Sequence, residues 1–326
     1  MRPDLSVLLL TTLIGAGQGL FLALFTVQLY ALAGLLPPPS GHAFYAHGSL
    51  IALVFLVGGL IASFFHLGRP ERAWRTAAKW RTSWLSREVI VLPALMGVVF
   101  LYGTAHLAGW TPVLATLPSG LAIDATLALG TAGTVLAFAL FVCTAMIYAC
   151  LPFLREWASP LTVLNYTLLG GASGFTLAAA FAVAAAPELT RFLAGWAFVL
   201  TLLGAVSRVA SLIRNARLKP KSTLQTAIGI KHPRIAQKSM GFLGGSFNTR
   251  EFFHGRSGAV LRSVKWVFLL AAFALPLTLL ALAGFGAPAG LLVAAFFVQY
   301  LGLLAERWFF FAQANHPQNL YYQAVA

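Results

Sequence analysis

SFFHLGRPERAWRTAAKWRTSWLSREV, residues 63–89, holds six basic residues, three tryptophans, one histidine and two glutamates between two long runs that carry almost no charge. Charge this concentrated, with flanks this apolar, describes a turn at a membrane surface between two spans. The whole chain agrees: 59% of its 326 residues are hydrophobic, 9% are charged and the mean hydropathy is +0.83, against about a quarter charged in a soluble domain. Segments of roughly 20 apolar residues, rising about 1.5 Å each, cross a hydrocarbon core about 30 Å thick. The reading is an all-α membrane protein, a bundle of eight transmembrane helices with both termini cytoplasmic. The run from Leu5 to Leu36 lacks the short apolar core and small-residue cleavage site of a secretory signal and reads as the first membrane helix.

Hydropathy places the spans at roughly 5–35, 46–66, 87–108, 121–151, 161–186, 190–213, 263–285 and 288–312. The turn signals PPPSG, GWTP, SP, APE and GFGAP fall between them, and such short connections suit an up-and-down arrangement. Residues 1–326 are expected to form one membrane domain. The first, third, fifth and seventh connections carry only Arg191 among basic residues. The positive-inside rule therefore puts the N-terminus, the 67–86 interfacial loop, the 152–160 loop, the long basic 214–262 loop and the 313–326 tail in the cytoplasm, and the cell membrane of a bacterium is the expected location. Of the net charge of +14, part answers anionic lipid headgroups, at about 1 kcal/mol per residue. The 214–262 loop, with GFLGGSF and REFFHGRS, mixes aromatic with basic residues and reads as a docking surface. Its basic content alone is no specific sign of nucleic acid, and no nucleic-acid partner is expected.

Within the opening stretch, His66 closes the second helix, Gly68 and Pro70 interrupt it, and Pro70 suits the first position of a short new helix. Ala73, Ala77, Trp80 and Trp84 recur at helical spacing with Arg72, Arg75 and Lys79 on the other faces, as in a helix lying in the interface. Ser86 is expected to cap helix three, with Glu88 in its first turn. Each residue has a structural reading: Glu88 as a partner of the helix dipole, His66 as a boundary histidine bonded to a loop carbonyl. Both nevertheless sit at the same end of adjacent antiparallel helices, at the depth of a lipid-soluble ligand's head, where titratable groups are costly and tend to be functional. They read as a proton-handling pair.

HLGRPERAW, residues 66–74, and SWLSRE, residues 83–88, resemble the membrane anchor subunits of DMSO reductase-type molybdenum enzymes, eight-helix proteins that exchange electrons with quinones. The eight-span layout extends the likeness along the chain. The resemblance implies that His66 and Glu88 belong to a quinol-binding site. Within the family, the long cytoplasmic loop and the tail ERWFFFAQANHPQNLYYQ, residues 306–323, look more like the anchor of the cytoplasmic sulfite-oxidising enzymes. That likeness implies electrons flowing from sulfite to the quinone pool. It also implies two cytoplasmic partners, an iron–sulfur electron-transfer subunit and a molybdopterin catalytic subunit. Arg72, Arg75, Lys79, Arg81, Arg234, Phe252, Phe253, His316 and Tyr321 are the candidate docking residues. For the tail, the rival reading is that Trp308, Phe309, Phe310 and Phe311 end helix eight in an aromatic belt.

The expected chemistry is that His66 hydrogen-bonds a quinone carbonyl and passes a proton, that Glu88 relays protons from the loop, and that Arg69 or Arg208 balances charge. Arg208 has a competing reading as a residue snorkelling to the interface. Ubiquinone and menaquinone fit an apolar slot equally. Two cysteines, Cys143 and Cys150, fall short of the thiolates an iron–sulfur cluster takes, so no metal site is expected in this chain. No haem is expected either, although His47 and His106 on helices two and three stay open as a pair. Gly15, Gly17 and Gly19, like Gly170, Gly171 and Gly174, read as helix-packing positions, Asp124, near the start of helix four, as a partner of its dipole, and Pro276 as a kink. Rival functions are a small-molecule transporter, against which nearly charge-free deep spans speak, and a passive membrane tether.

Overall fold

The computed structural model describes residues 3–37, 39, 43–116, 122–220, 222–238, 251–252, 258–286 and 288–322. Phe253, GFLGGSF and most of REFFHGRS lie outside them. Eight helices are long and apolar enough to cross a membrane: α1 Leu5–Leu32, α2 Ala43–Phe64, α3 Trp84–Leu107, α4 Ala125–Ala149, α5 Pro160–Ala185, α6 Thr190–Ala216, α7 Gly258–Gly284 and α8 Gly290–Ala312. The chain is an integral, multi-pass membrane protein. Asp4, Ser159 and Asp124 cap α1, α5 and α4 by accepting from the first free backbone N–H groups, which apolar surroundings would otherwise leave unpaired.

Several local features differ from the sequence reading. The cap of α3 is Ser83, whose hydroxyl accepts from Ser86 N at 3.4 Å; Ser86 is buried inside the first turn, so the helix begins a turn earlier and Glu88 sits past the reach of its dipole. The ten-residue helix Pro70–Lys79 is 3-10 rather than α, which leaves Trp80 beyond its end. The connection after α3 forms a small antiparallel pair, Val113–Thr116 with Ala122–Asp124. In α7 the kink foreseen at Pro276 is a π-helical widening at Leu270–Ala274, where the ring would otherwise meet the carbonyl one turn back.

The helices form two quartets. In the first, α1 packs on α2, α2 on α3, α3 on α4 and α4 on α1; in the second, α5 packs on α6, α6 on the end of α7, α7 on α8 and α8 on α5. The quartets join chiefly through α1 and α5, and glycines make that seam. A Cβ on Gly19 would collide with the Gly170 carbonyl oxygen, and one on Gly174 would collide with the backbone of Gly19. Gly17 instead faces α2, where a Cβ would approach the Ala52 carbonyl oxygen to 2.9 Å. With no hydrophobic drive between helices in lipid, such backbone approach supplies the packing.

Gly174→Ala is expected to force α1 and α5 apart and to lower thermal stability by about 1–3 kcal/mol or more. Gly171→Ala, whose Cβ would meet only Leu200 at 3.6 Å, is expected to change it little. Heating the detergent-purified variants side by side checks the contrast.

Candidate functional site

Because successive spans alternate in direction, the N-termini of α1, α3, α5 and α7 share one end with the C-termini of α2, α4, α6 and α8. The basic loops lie at that end. His66 stands there, exposed, just beyond α2. Its Nδ1 lies 3.2 Å from the Ser6 hydroxyl, and that hydroxyl donates its one proton to Asp4 Oδ1 at 2.9 Å. With the hydroxyl proton committed to Asp4, His66 Nδ1–H is the donor to Ser6 Oγ, which leaves Nε2 as the ring nitrogen without a bond to Ser6. The two residues before His66 in the chain are exposed apolar groups, Phe65 at 81% and Phe64 at 43%.

Glu88 is buried, 6% exposed, and accepts from the Thr144 hydroxyl of α4 at 2.5 Å. It faces α4, whereas His66 is tied to the start of α1. Among the described residues no hydrogen bond or ion pair joins the two side chains. Arg69 is exposed at the start of the 3-10 helix, with no ion pair to either. Arg87 turns away from Glu88, donating to the carbonyls of Trp80 and Arg81 at 2.9 Å each and lying 4.2 Å over the Trp84 ring. The 3-10 helix rests its Ala73 and Ala77 face toward the protein and exposes Trp74, Arg72, Arg75 and Lys79.

Arg208 does not snorkel. Its guanidinium is 1% exposed and its Nε lies 2.6 Å from Glu306 Oε1, itself fully buried. Arg307 Nη1 approaches the other carboxylate oxygen to 3.4 Å. Among the described residues no donor is well aligned on either Glu306 oxygen, and the ion pairs hold the cluster. Aromatic faces take up the rest: Arg307 Cζ sits 3.7 Å from the Tyr166 ring centroid, and Arg208 Cζ 5.4 Å from that of Phe268. The deep spans are thus not charge-free. Sequence reasoning takes Glu306 and Arg307 only as the start of the tail and so misses them as a site; the signal that could have found them is a charged dipeptide inside the last turns of an apolar span.

A small cavity separates this cluster from Glu88. Its volume is about 20 Å³, room for one water molecule, and Thr12, Gln18, Thr144, Tyr166 and Arg307 are among its walls. Among the described residues, Gln18 Oε1 and the Tyr166 hydroxyl of these walls are buried without a hydrogen-bond partner. Counted from their helix ends at about 1.5 Å per residue, Glu88, Thr144, Tyr166, Glu306 and Arg208 all lie about 6–12 Å deep.

The candidate docking residues divide. Arg72, Arg75, Lys79, Arg81, Arg234 and Tyr321 are exposed. Phe252 is buried, with its ring 5.0 Å from that of half-buried His316, so it packs within this chain. The tail aromatics form no lipid belt: Phe309, Phe310 and Phe311 are 8%, 4% and 1% exposed, and Trp157 Nε1 donates to the Phe310 carbonyl at 2.8 Å. Arg214 fastens the 152–160 loop by donating to the carbonyls of Arg155 and Ala158 at 2.7 and 3.1 Å. At the opposite end, His106 is buried against Tyr45, ring centroids 4.4 Å apart, while His47 is exposed. Asp124 accepts from Leu127 N and Thr126.

The sequence profile of the DMSO reductase anchor subunit (DmsC) family matches residues 1–312. A sulfite dehydrogenase subunit from Allochromatium vinosum is 58% identical over 326 residues, covering 100% of both chains.

Glu306→Leu leaves two buried like charges and is expected to cost about 3–5 kcal/mol. Arg208→Leu leaves a neutral Glu306–Arg307 pair and is expected to cost less. Thermal unfolding of the purified variants gives the order, and a reversed order would contradict the charge account.

Proposed function

Since the chain belongs to the family of DMSO reductase membrane anchor subunits, we propose that it is the quinone-reactive membrane subunit of a molybdopterin oxidoreductase complex. It passes electrons between a partner iron–sulfur subunit and the quinone pool during sulfite oxidation. The name of the full-length relative supports sulfite as the electron source. Molybdopterin and the iron–sulfur clusters sit in the partner subunits, which dock on the basic end of the bundle from the cytoplasm, and the bundle crosses the bacterial cell membrane.

The observation that carries the reading is the state of His66. An exposed imidazole fixed through Nδ1 by Ser6 and Asp4, next in the chain to exposed Phe64 and Phe65, supports the reading: a quinone headgroup requires a polar contact, apolar neighbours and access from lipid. Bound quinone supplies two-electron, two-proton redox chemistry. In its neutral form, His66 Nε2 accepts a proton; in its charged form it donates a hydrogen bond to a carbonyl oxygen. Asp4, through Ser6, orients the ring for either. Glu88 is the inner proton-exchanging group, out of contact with His66 and held by Thr144. Arg208 serves this site from a distance through Glu306 rather than by touching a ligand, and Arg69 faces the surface.

A quinol-oxidising enzyme of the DMSO reductase type would use the same residues in the opposite direction, the partner's substrate deciding which. A transporter or passive tether would leave His66 and Glu88 without a role in electron transfer. His66→Ala and Glu88→Gln are expected to lower sulfite-dependent quinone reduction by the purified complex at least tenfold. Sulfite oxidation with an artificial acceptor and co-purification of the partner subunits should be preserved. Full quinone turnover in both variants would remove the reading.

A further inference from the structure

Glu306, with one negative charge, sits between two guanidiniums, so the buried cluster carries one positive charge in excess. No other carboxylate among the described residues contacts it. An uncompensated charge in the membrane interior is costly enough that it is retained for a use, and the structure supplies a route by which it acts. Arg307 Cζ lies 3.7 Å from the Tyr166 ring centroid, and that ring stacks on Tyr148 of α4 at 5.9 Å between centroids and 21° between planes, while Thr144 of the same helix holds Glu88. The water-sized cavity, walled by Thr144 on the Glu88 side and by Arg307 on the other, continues the polar path. Among the described residues the Tyr166 hydroxyl and Gln18 Oε1, on two of its walls, have no hydrogen-bond partner.

We infer that the Arg208–Glu306–Arg307 cluster is a positioning site. Its excess positive charge, carried across the seam between the quartets through Tyr166 and the cavity, shifts the pH at which the buried, Thr144-bonded Glu88 gains and loses its proton. No residue of the cluster touches the quinone. The other groups facing Glu88 leave this role open. On its own helix Arg87 is turned outward. From α4, which carries the titratable Cys143 and Tyr148, it is Thr144 that bonds Glu88. Glu71, Arg72, Arg75 and Lys79 of the 3-10 helix against α3 are exposed, and His66 at the end of α2 is tied to Ser6.

The inference rests on Glu88 handling protons for quinone, as proposed above, but its test does not require quinone. In the purified complex carrying no quinone, the carboxyl infrared band assigned to Glu88 by its loss in Glu88→Gln is titrated. At an effective dielectric of about 20, a unit charge about 10–15 Å away moves such a midpoint by roughly one pH unit. Arg307→Gln removes a positive charge and is expected to raise the midpoint by about that much. Glu306→Gln removes a negative charge and is expected to lower it, and Arg307→Lys, which keeps the charge, to leave it in place. The pH profile of quinone reduction should move in the same opposed directions. Where a charge variant fails to assemble with its partners, Tyr166→Phe keeps the ring, removes only the unpartnered hydroxyl and is expected to raise the midpoint. Midpoints that stay put, or that move the same way in Arg307→Gln and Glu306→Gln, overturn the inference. Opposed shifts in a complex that cannot reduce quinone would uphold the cluster's role and sink the quinone reading instead.

Discussion

A charge inside a hydrocarbon slab must be answered by the protein, because no water is there to answer it. The carboxylate of Glu306, fully buried between Arg208 and Arg307, meets that condition only while α6 and α8 stay in register and α5 keeps Tyr166 under the second guanidinium. The second quartet is therefore pinned at one end by charge. The two quartets are pinned to each other by glycines: with Gly19 and Gly174 in near backbone contact, α1 and α5 come close enough for Thr12 and Gln18 to share a cavity with Tyr166 and Arg307. Seam and cluster depend on each other, since a wider seam would open the cavity and add water to a site that now has room for about one molecule.

This arrangement gives the bundle a polarity along its axis. At one end, buried polar groups run laterally from Glu88 through Thr144 and Tyr166 to Arg208, beneath the loops that hold most of the basic residues. Above them an exposed histidine is steadied by a serine and an aspartate. At the other end the polar groups serve structure: Gln28, Tyr102, Thr126 and Asp124 bond one another and cap α4. The proposed electron-transfer role calls for such asymmetry, because electrons from a partner would arrive on one side and protons would be handled within reach of the same headgroup.

Much of this was legible in the sequence. Charge-free runs gave the eight spans within a few residues, since the bilayer fixes their length, and Pro70 announced its role because helix starts are local chemistry; Asp124, read as a partner of the helix dipole, is the cap of α4 because that helix begins later than hydropathy suggested. Ser83 and Ser86, one turn apart, offered the same cap signal, and only the tertiary placement of Glu88 against Thr144 separates them. The pairing of Arg208 with Glu306 joins two helices far apart in the chain, and no periodicity reports it. Burial of Phe309, Phe310 and Phe311 was hidden for a related reason: an aromatic cluster at a span's end reads alike whether it faces lipid or a neighbouring loop. That loop's Trp157 settles the matter in the folded chain.

The central claim is that a quinone headgroup meets this protein at His66, at the basic end of the bundle. A structure of the intact complex with bound quinone, or with a quinone analogue, tests it most directly. The expected result is a headgroup oxygen within about 3 Å of His66 Nε2, the ordinary reach of a hydrogen bond, with its tail leaving past Phe64 and Phe65 into lipid. A headgroup at the opposite end of the bundle, beside His106 and Tyr45, would contradict it.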